Sequence, residues 1–429
     1  MDKTKFKKDI ILFVGMVSDH VISVIRKYGE ETQQTFRIGL LYDTATHAAE
    51  KAMPRNQDID IVLSCDARSP ESIALILEPY QKKLLSVTIR NEQDLVLLKK
   101  IRPYIKYAKL PTIESLTWST DRILMRKKLQ NYNRSLIPRY IIVTEINSKV
   151  LDEIDGKITF PVVVKPSSPT SGGILMNICY YREELEKVLT TVLKKVKHLN
   201  GTMISDKKPE VIVEEFIEGD SYSFDAYISP RGKIHLCPLI EIKTGRSMGF
   251  DDFFSYMQIT APNLPSIDIE NAQDIATHAL KTLSLTSTSA HVELIKTETD
   301  WKIVSIGPKM SGWRNDLYAL SYGINHIIND ILIRIPQKLV FSKRVKQHTA
   351  VLRFYAKHEG KLTKLNGIKK IQELESFCRI RVRKQIGDIC RFAKNGATPV
   401  FDITLSNKDR SKLLADIRRI EKIVEIVTE

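Results

Sequence analysis

The chain has 429 residues, of which 43% are hydrophobic, 27% charged and 7% aromatic. This is ordinary globular composition, which excludes a mainly disordered or collagen-like chain and predicts roughly two to four domains. The formal net charge of +15 is concentrated at one end, because residues 337–429 hold 22 Lys and Arg against 10 Asp and Glu.

The longest apolar run, residues 10–17, has about half the length of a membrane helix. Asp19 and His20 follow it and no small-residue cleavage site appears, so we interpret the run as a first β-strand rather than as part of a signal peptide. The five cysteines stand far apart and form no CxxC pair. This spacing favours neither a zinc ribbon nor a disulfide framework and predicts a reducing, cytoplasmic setting.

Short apolar runs alternate with helical patterns over the first 110 or so residues. Strands are predicted at residues 10–14, 37–42, 60–64 and 84–89. Buried strands separated by helices indicate a parallel sheet with helices on both faces. No GxGxxG motif is present, so a dinucleotide site is not expected.

The pattern changes after a helical stretch predicted at residues 120–139. The later strands are predicted at residues 158–165, 211–216, 223–228, 233–242, 349–356 and 399–405, and an amphipathic helix at 408–424. Pro336 and the polar residues after it indicate a domain boundary.

Four segments carry residues suited to nucleotide chemistry. The first, residues 160–166, ends a buried strand with Lys165, a compact cation that suits a phosphate, although a surface lysine beyond an edge strand is equally plausible. The second, residues 167–173, is rich in Ser, Thr and Gly, which allows backbone N–H groups to approach an anion. A plain hairpin loop has the same composition.

The third segment, residues 211–220, runs from an apolar strand into glutamates that are either near an adenine or simply solvated. The fourth, residues 290–309, contains two strands joined by a turn and would place Glu293 near the second strand. A carboxylate beside a phosphate-binding lysine is how a protein holds Mg²⁺ against a nucleotide. Taken alone, Glu293 is better explained as an exposed acidic residue on an ordinary hairpin.

The order and spacing of these four segments resemble the ATP-grasp superfamily of ligases, over nearly the whole chain. The resemblance implies a mixed α/β and α+β fold. It predicts a Rossmann-like pre-ATP-grasp domain at residues 1–115 and an ATP-grasp domain at 116–336, with a small lid subdomain at about 140–215. A basic, carboxylase-like α+β domain is predicted at residues 337–429.

In that superfamily two subdomains hold ATP, the γ-phosphate passes to a substrate carboxylate, and an amine or thiol attacks the acyl phosphate. The resemblance therefore implies ATP and Mg²⁺ (or Mn²⁺), with Glu293 and Ser305 at the metal and Lys309 and Arg314 as catalytic cations. Lys165 would contact the α- and β-phosphates. The predicted nucleotide-binding residues are Arg122, Lys165, Ser168, Ser171, Gly172, Gly173, Glu214, Glu215, Phe216, Ile217 and Asp220; residues 168–173 would form a closing loop and 214–217 would line the adenine.

Several positions depart from the superfamily pattern. Arg122 stands where a lysine is usual, and Ser221 stands where a ribose-binding glutamate is usual, with Asp220 one place earlier.

The last strand departs further, because the usual Glu-x-Asn-x-Arg is replaced by Ser305, Gly307 and Lys309. Ser305 brings a hydroxyl but no charge to a position that neutralises charge during phosphoryl transfer. Asp225 and Glu241 are the candidate substitutes.

Three functions remain open at this stage. An ATP-dependent carboxylate–amine (or thiol) ligase is favoured over a catalytically impaired nucleotide-binding protein that acts through a partner. A nucleic-acid-binding role for the basic segment is the least favoured. The expected partners are ATP and small carboxylate and amine substrates, some of them anionic; no membrane association is expected, and a homodimer is a base-rate expectation.

Overall fold

The computed structural model describes residues 8–47, 58–168, 175–202, 210–250, 252–312, 314–395 and 398–429. Ser171, Gly172 and Gly173, which the sequence predicts in a phosphate-binding loop, lie outside these residues. The strands in the described residues form four sheets.

The N-terminal sheet is parallel, with the strand order β3-β2-β1-β4. Its strands and helices are β1 (Ile10–Val14), α1 (Asp19–Thr32), β2 (Arg37–Asp43), α2 (Thr44–His47), β3 (Ile61–Cys65), α3 (Pro70–Leu77), β4 (Leu84–Ile89) and α4 (Leu95–Ile101). All of β1 is buried, because alternate side chains enter two different cores on the two faces of the sheet. The parallel sheet predicted from the sequence is confirmed.

Two helices, α5 (Ile113–Thr120) and α6 (Arg122–Tyr132), lead into a second sheet. The predicted single helix over residues 120–139 is wrong, because Asp121 caps α6 with its side chain and α6 ends at Tyr132. The lid sheet has the antiparallel order β5-β8-β6-β7. Its elements are β5 (Tyr140–Val143), α7 (Ser148–Lys157), β6 (Val162–Pro166), β7 (Asn177–Cys179), α8 (Arg182–Thr202) and β8 (Val211–Glu215).

The large sheet is antiparallel and runs in the order β14-β13-β9-β11-β12-β15-β19-β17, with β10 beside β9. Its elements up to residue 332 are β9 (Asp220–Ile228), β10 (Ile234–Leu236), β11 (Ile240–Thr244), β12 (Ser255–Thr260), α9 (Ser266–Thr282), β13 (Thr288–Lys296), β14 (Trp301–Gly307), α10 (Arg314–Tyr322) and α11 (His326–Leu332). The predicted strand at residues 233–242 is two strands, because the chain leaves β9 at Leu236 and returns to it at Ile240.

The C-terminal elements extend the large sheet and add a small one of order β18-β16-β20. They are β15 (His348–Phe354), β16 (Gly360–Asn366), α12 (Ile368–Gln372), β17 (Phe377–Val382), β18 (Ile389–Cys390), β19 (Phe401–Asn407), α13 (Arg410–Ile423) and β20 (Glu425–Thr428). Since β12 pairs with β15, the large sheet continues across the boundary predicted at Pro336. The exact domain limits stay a prediction.

A buried carboxylate joins the N-terminal sheet to the rest of the molecule. Asp330 on α11 accepts hydrogen bonds from Thr88 Oγ1 on β4 and from Ser289 Oγ on β13, both at 2.6 Å. Arg90 and Arg334 lie 3.2 and 3.0 Å from the same carboxylate. A buried anion with this many partners fixes the relative position of the strands that supply them.

Candidate functional site

The lysine at the end of β6 lies in a buried charge cluster. Lys165 Nζ is 2.6 Å from Glu214 Oε2 on the neighbouring strand β8, and Arg126 Nε of α6 is 2.5 Å from Glu214 Oε1. Only 9% of the Lys165 side chain is exposed, and the other two are buried completely. The carboxylate of Glu214 on β8 therefore fixes the position of the Lys165 ammonium group.

The cations keep Glu214 ionised. Burial alone would raise the pKa of this carboxyl, but the charges and hydrogen bonds of Arg126 and Lys165 outweigh burial and lower the pKa from 4.5 to about 2. Arg126 also donates from Nη2 to the carbonyl of Val304 on β14, at 2.7 Å. The register of β13 and β14 shifts beside Val304, which frees that carbonyl for the bond. Arg126 thus ties the lid sheet to the large sheet.

We expect this buried carboxylate to make the fold sensitive to acid. A pKa lowered from 4.5 to about 2 means that Glu214 stabilises the folded state above pH 4.5 and loses this effect as the pH falls towards 2. The contribution is roughly 3 kcal/mol. Urea unfolding between pH 6 and pH 3 measures it, and the Glu214→Gln variant should show a flatter dependence. An equally steep dependence in that variant would assign the acid sensitivity to other groups.

Arg122 holds the segment that follows β6. Its Nη1 atom donates to the carbonyls of Pro166 and Ser168, at 2.9 and 3.1 Å, and its backbone N–H donates to Ser167 O. The charges of Glu92, Glu214 and Glu293 all act on the guanidinium, while burial lowers its pKa. The guanidinium of Arg122 therefore lies within electrostatic reach of carboxylates from both the lid sheet and the large sheet.

The connection after β8 carries the residues predicted near the adenine. Glu215 pairs with Arg139, with Oε2 2.6 Å from Nε. The guanidinium of Arg246 lies 4.5 Å from the centre of the Phe216 ring, a cation–π contact, and Ile217 is half-buried.

Asp220 lies apart from the face of the large sheet that carries Glu293. Its carboxylate is exposed and 3.3 Å from Lys243, which also binds Glu241 at 2.9 Å. Glu241 is paired in register with Tyr222, and strand alternation places these side chains on the face opposite Ser223 and Glu293. Glu241 therefore cannot substitute for a ligand beside Glu293.

Strand register brings the predicted metal residues together. Glu293 on β13 lies directly opposite Ser305 on β14 and opposite Ser223 on β9. The Glu293 side chain is 43% exposed. Burial disfavours its charge, but the hydrogen bond to His291 and the charges of His291, Arg314 and Lys309 are stronger, so the pKa is lowered.

Asp225, the other candidate substitute for the missing metal ligand, lies on the same face of the large sheet as Glu293. Its carboxylate is already bonded to neighbouring groups. It accepts from Tyr318 Oη at 3.0 Å and from the backbone N–H of Ser311 at 3.3 Å, and it lies 3.2 Å from His291 Nδ1 and 3.8 Å from Arg314 Nε. Since its side chain is entirely buried among these partners, Asp225 organises the site from below rather than binding an ion directly.

The predicted catalytic cations flank this face. Arg314 is 1% exposed and donates from Nη2 to Ser223 Oγ at 2.5 Å, while Lys309 is half-buried after β14. The charge of Arg314 also acts on Arg353 of β15, a half-buried residue of the same sheet. The charges of both Arg314 and Lys309 act on Glu293.

Four residues of the site were missed in the sequence: Arg126, Asp225 as an organising group, His291 and Arg353. The spacing of residues in the sequence could have identified two of these four residues. Arg126 follows Arg122 by one helical turn, so both face the same side of α6. His291 precedes Glu293 by two residues on one strand, so both side chains lie on one face.

The donors on this face suit an ion that arrives with a nucleotide. Glu293 supplies a carboxylate and Ser305 a neutral hydroxyl, and a side chain at Gly307 would meet no atom within 4 Å. The described ranges contain no cluster of three or more His, Cys, Asp or Glu side chains that could hold a metal. Mg²⁺ keeps water and phosphate oxygens as ligands, so this small donor set fits a nucleotide-bound ion better than a resident one.

Two global features accompany the site. Across the described helices, none combines the length and apolar character needed to cross a bilayer. All five cysteines are free thiols, four of them buried and Cys378 exposed.

Comparisons with known proteins address the sequence family and the fold. Residues 158–315 match the sequence profile of a family described as the ATP-grasp domain. A curated relative, the uncharacterised protein y4rH of Sinorhizobium fredii, is 22% identical over 238 residues, which cover 53% of this chain and 45% of that protein. The chain thus spans less than half the length of this relative.

Solved structures share the architecture along the whole chain. The L-amino acid ligase of Bacillus licheniformis superposes with a TM-score of 0.81 at 15% identity, covering 99% of this chain and all of that one. A biotin carboxylase of Campylobacter jejuni, in a complex with β-γ-ATP, superposes with a TM-score of 0.64 at 15% identity, covering 98% and 92%. The predicted ATP-grasp fold, with mixed parallel and antiparallel sheets, is confirmed.

Proposed function

Because this chain is a member of the ATP-grasp superfamily, we propose that it is an ATP-dependent ligase that activates a carboxylate as an acyl phosphate for attack by an amine or thiol. The observation that supports the proposal is the pair of bonds made by Arg126. It joins Glu214, the partner of Lys165 in the lid sheet, to Val304 on β14, which is next to the Ser305 that lies opposite Glu293. The predicted phosphate-binding lysine and the predicted metal residues therefore belong to two sheets that meet at Arg126.

Each residue has a defined task in this reaction. Lys165, kept in place by Glu214, would bind the phosphates of ATP, and Arg122 would hold the backbone of the adjoining segment. Glu293, with the hydroxyl of Ser305, would hold Mg²⁺ or Mn²⁺, which neutralises phosphate charge when bound. Lys309 and Arg314 would stabilise negative charge on the group being transferred.

The proposed reaction balances in two steps. A carboxylate oxygen of the substrate forms a bond to the γ-phosphorus as the bond from that phosphorus to ADP breaks. The amine or thiol then attacks the acyl carbon, loses a proton, and expels inorganic phosphate to leave an amide or thioester.

A second candidate function follows from one observation. Ser305 lies directly opposite Glu293, so this pair of positions supplies one carboxylate where phosphoryl transfer profits from two. An ATP-grasp protein in this condition can bind nucleotide without turning it over and act through a partner instead. Nucleotide binding is common to both candidates, so turnover separates them.

The deciding experiment measures ADP release by the purified chain with ATP and Mg²⁺ or Mn²⁺. A panel of L-amino acids and small, partly anionic carboxylates is supplied singly and in pairs, and products are identified by mass. ADP release that needs both a carboxylate and an amine supports the ligase. Stabilisation by ATP in a thermal shift assay without turnover supports the second candidate, and no stabilisation contradicts both.

We predict that Ser305→Glu strengthens metal binding. A second carboxylate opposite Glu293 should tighten Mn²⁺ binding in the presence of ADP about tenfold and raise ATP turnover. Isothermal titration measures the affinity. Thr299→Glu, in the exposed turn of the same hairpin, adds the same charge away from this face and should change nothing. An unaltered metal affinity in Ser305→Glu would place Ser305 away from the ion.

The proposal also covers the cellular compartment and the kind of substrate. Free cysteines and an ATP-consuming reaction favour the cytoplasm. The basic residues 337–429 favour an anionic substrate.

A further inference from the structure

Four arginines share one face of the C-terminal part of the large sheet. Arg353 on β15 and Arg381 on β17 are both in register with Asp402 on β19, the strand between them. Residues in register point to the same side of a sheet, so both guanidinium groups lie on the Asp402 face. Arg379 and Arg383 stand two residues to either side of Arg381, and strand alternation places them on this face as well.

The first turn of α10 connects these arginines to the residues around Glu293. Arg314 donates to Ser223, which is in register with Glu293, and Asp316, two residues later, forms an ion pair with Arg379. Five strands separate β13 from β17 in the large sheet. The arginines of β17 therefore meet a different part of the bound substrates than Glu293 does.

Arg381 differs from the arginines beside it, because its guanidinium has no ion-pair or hydrogen-bond partner among the residues that the structure describes. Arg383 pairs with Asp402, and Arg379 pairs with Asp316. Arg381 is nevertheless half-buried, and its charge and that of Arg383 both act on Arg379. A half-buried cation next to like charges is unfavourable until an anion compensates it.

His20 shows where this face lies relative to the N-terminal sheet. It is an exposed residue at the start of α1, the helix that follows β1. Burial lowers the pKa of its imidazole, and the charges of Arg381 and Arg379 lower it further. The arginines of β17 are therefore within electrostatic reach of the carboxyl end of β1, which is the edge where open α/β sheets bind ligands.

We propose that Arg381, with Arg353 and Arg379 beside it, binds an anionic group of a substrate, a carboxylate or phosphate other than the carboxylate that is activated. The planar guanidinium forms paired hydrogen bonds with both of these groups. The inference rests on the ligase reaction proposed above and names its substrate class. One of the two substrates carries a negative charge that the reaction does not consume, either as a second acidic group of the acid or as the free carboxylate of an amino acid used as the amine.

Pairs of compounds that differ by one negative charge test this substrate class. ADP release with ATP and Mg²⁺ is measured for L-glutamate against L-glutamine, for O-phospho-L-serine against L-serine, and for glycine against glycinamide as the amine. Each compound is supplied with the L-amino acids and small carboxylates of the panel as the second substrate. We expect the more anionic member of at least one pair to have a kcat/KM about tenfold higher or more. The pair that discriminates shows which substrate carries the charge.

Arg381→Met connects the preference to this face. The ratio of kcat/KM between the two members of the discriminating pair should fall about tenfold, towards one, while the KM for ATP stays the same. Arg418→Met is the control, because it removes an exposed arginine from α13, which packs against Ile403 on the opposite face from Asp402. A preference that persists in Arg381→Met, or equal use of both members of every pair, would overturn the inference and leave the proposed function standing.

Thermal unfolding gives a readout that needs no turnover. Since Arg381 lacks a partner in the described ranges and lies near other cations, Arg381→Met should raise the melting temperature of the unliganded chain by about 1 °C or more. A lower melting temperature would make Arg381 structural and overturn the anion site. Charge-selective stabilisation in the presence of ADP that Arg381→Met abolishes, without any turnover, would keep the anion site and overturn the ligase. Neither stabilisation nor turnover would overturn both.

Discussion

The Glu293→Gln variant is expected to lose ATP turnover by about a thousandfold or more. Glutamine keeps the size and one oxygen of the side chain but removes the carboxylate that lies opposite Ser305. With no second acidic ligand from Ser305, the loss of this charge removes the main protein contribution to the metal at the transferring phosphate. Steady-state ADP release under saturating substrates measures the effect.

A matched control lies on the other face of the same sheet. Glu241→Gln makes the same chemical change beside Lys243, where it should leave turnover within about twofold of the unaltered chain. Retention of ADP affinity in the absence of metal would show that Glu293→Gln still has an intact nucleotide cleft. Unchanged turnover in Glu293→Gln would remove Glu293 from the site.

The Lys165→Met variant should bind ATP about a hundredfold more weakly, because a charge-assisted bond to phosphate contributes roughly 3 kcal/mol. The same change removes one of the two cations bonded to Glu214 and leaves Arg126, so the fold should also lose about 2 kcal/mol of stability. Equilibrium dialysis with labelled ATP and urea unfolding measure the two effects separately.

A double variant separates the two roles of this lysine. Lys165→Met combined with Glu214→Gln also removes the carboxylate that neutralises the buried Arg126, so stability should fall further while ATP binding stays as weak as in the single variant. Lys157→Met, which removes an exposed lysine paired with Glu153 on α7, is the control for loss of one positive charge. Recovery of ATP affinity in the double variant would make Lys165 purely structural.

One buried arginine, Arg126, connects the lid sheet to the large sheet. Arg126 bonds Glu214 in the lid sheet and Val304 in the large sheet, so any opening between the sheets pulls on one buried guanidinium. Because Glu214 also holds Lys165, the position of the phosphate-binding cation is linked to the contact between the sheets. Binding at Lys165 and the relative placement of the sheets are therefore coupled through shared hydrogen bonds.

Much of the architecture could be read from the local sequence. The continuous apolar run in β1 predicted a strand buried on both faces, and the two cores that share its side chains confirm it. The order of four segments predicted the ATP-grasp fold, which the comparisons confirm. These features depend on residues near one another in the chain, where periodicity and turn chemistry act directly.

The roles within the site depended on contacts between distant residues. The sequence pattern predicts that Glu214 leaves the core towards solvent or adenine. In the structure Glu214 is buried, because Arg126, 88 residues earlier, bonds its carboxylate, which also binds Lys165. The partnership of Asp225 with His291 spans 66 residues and requires β9 to lie beside β13. Strand alternation predicts which residues share a face, but only strand order and register decide which side chain lies opposite.

The sequence by itself determined most of the strands, the parallel N-terminal sheet and the ATP-grasp fold, because apolar periodicity and short motifs are local properties of the chain. Only the tertiary structure decided that Ser305 lies opposite Glu293, that Glu241 lies on the other face, and that Asp225 is held by buried partners. The reason is physical: the charge and burial of a carboxylate depend on the groups that folding brings around it, and these come from strands far apart in the chain.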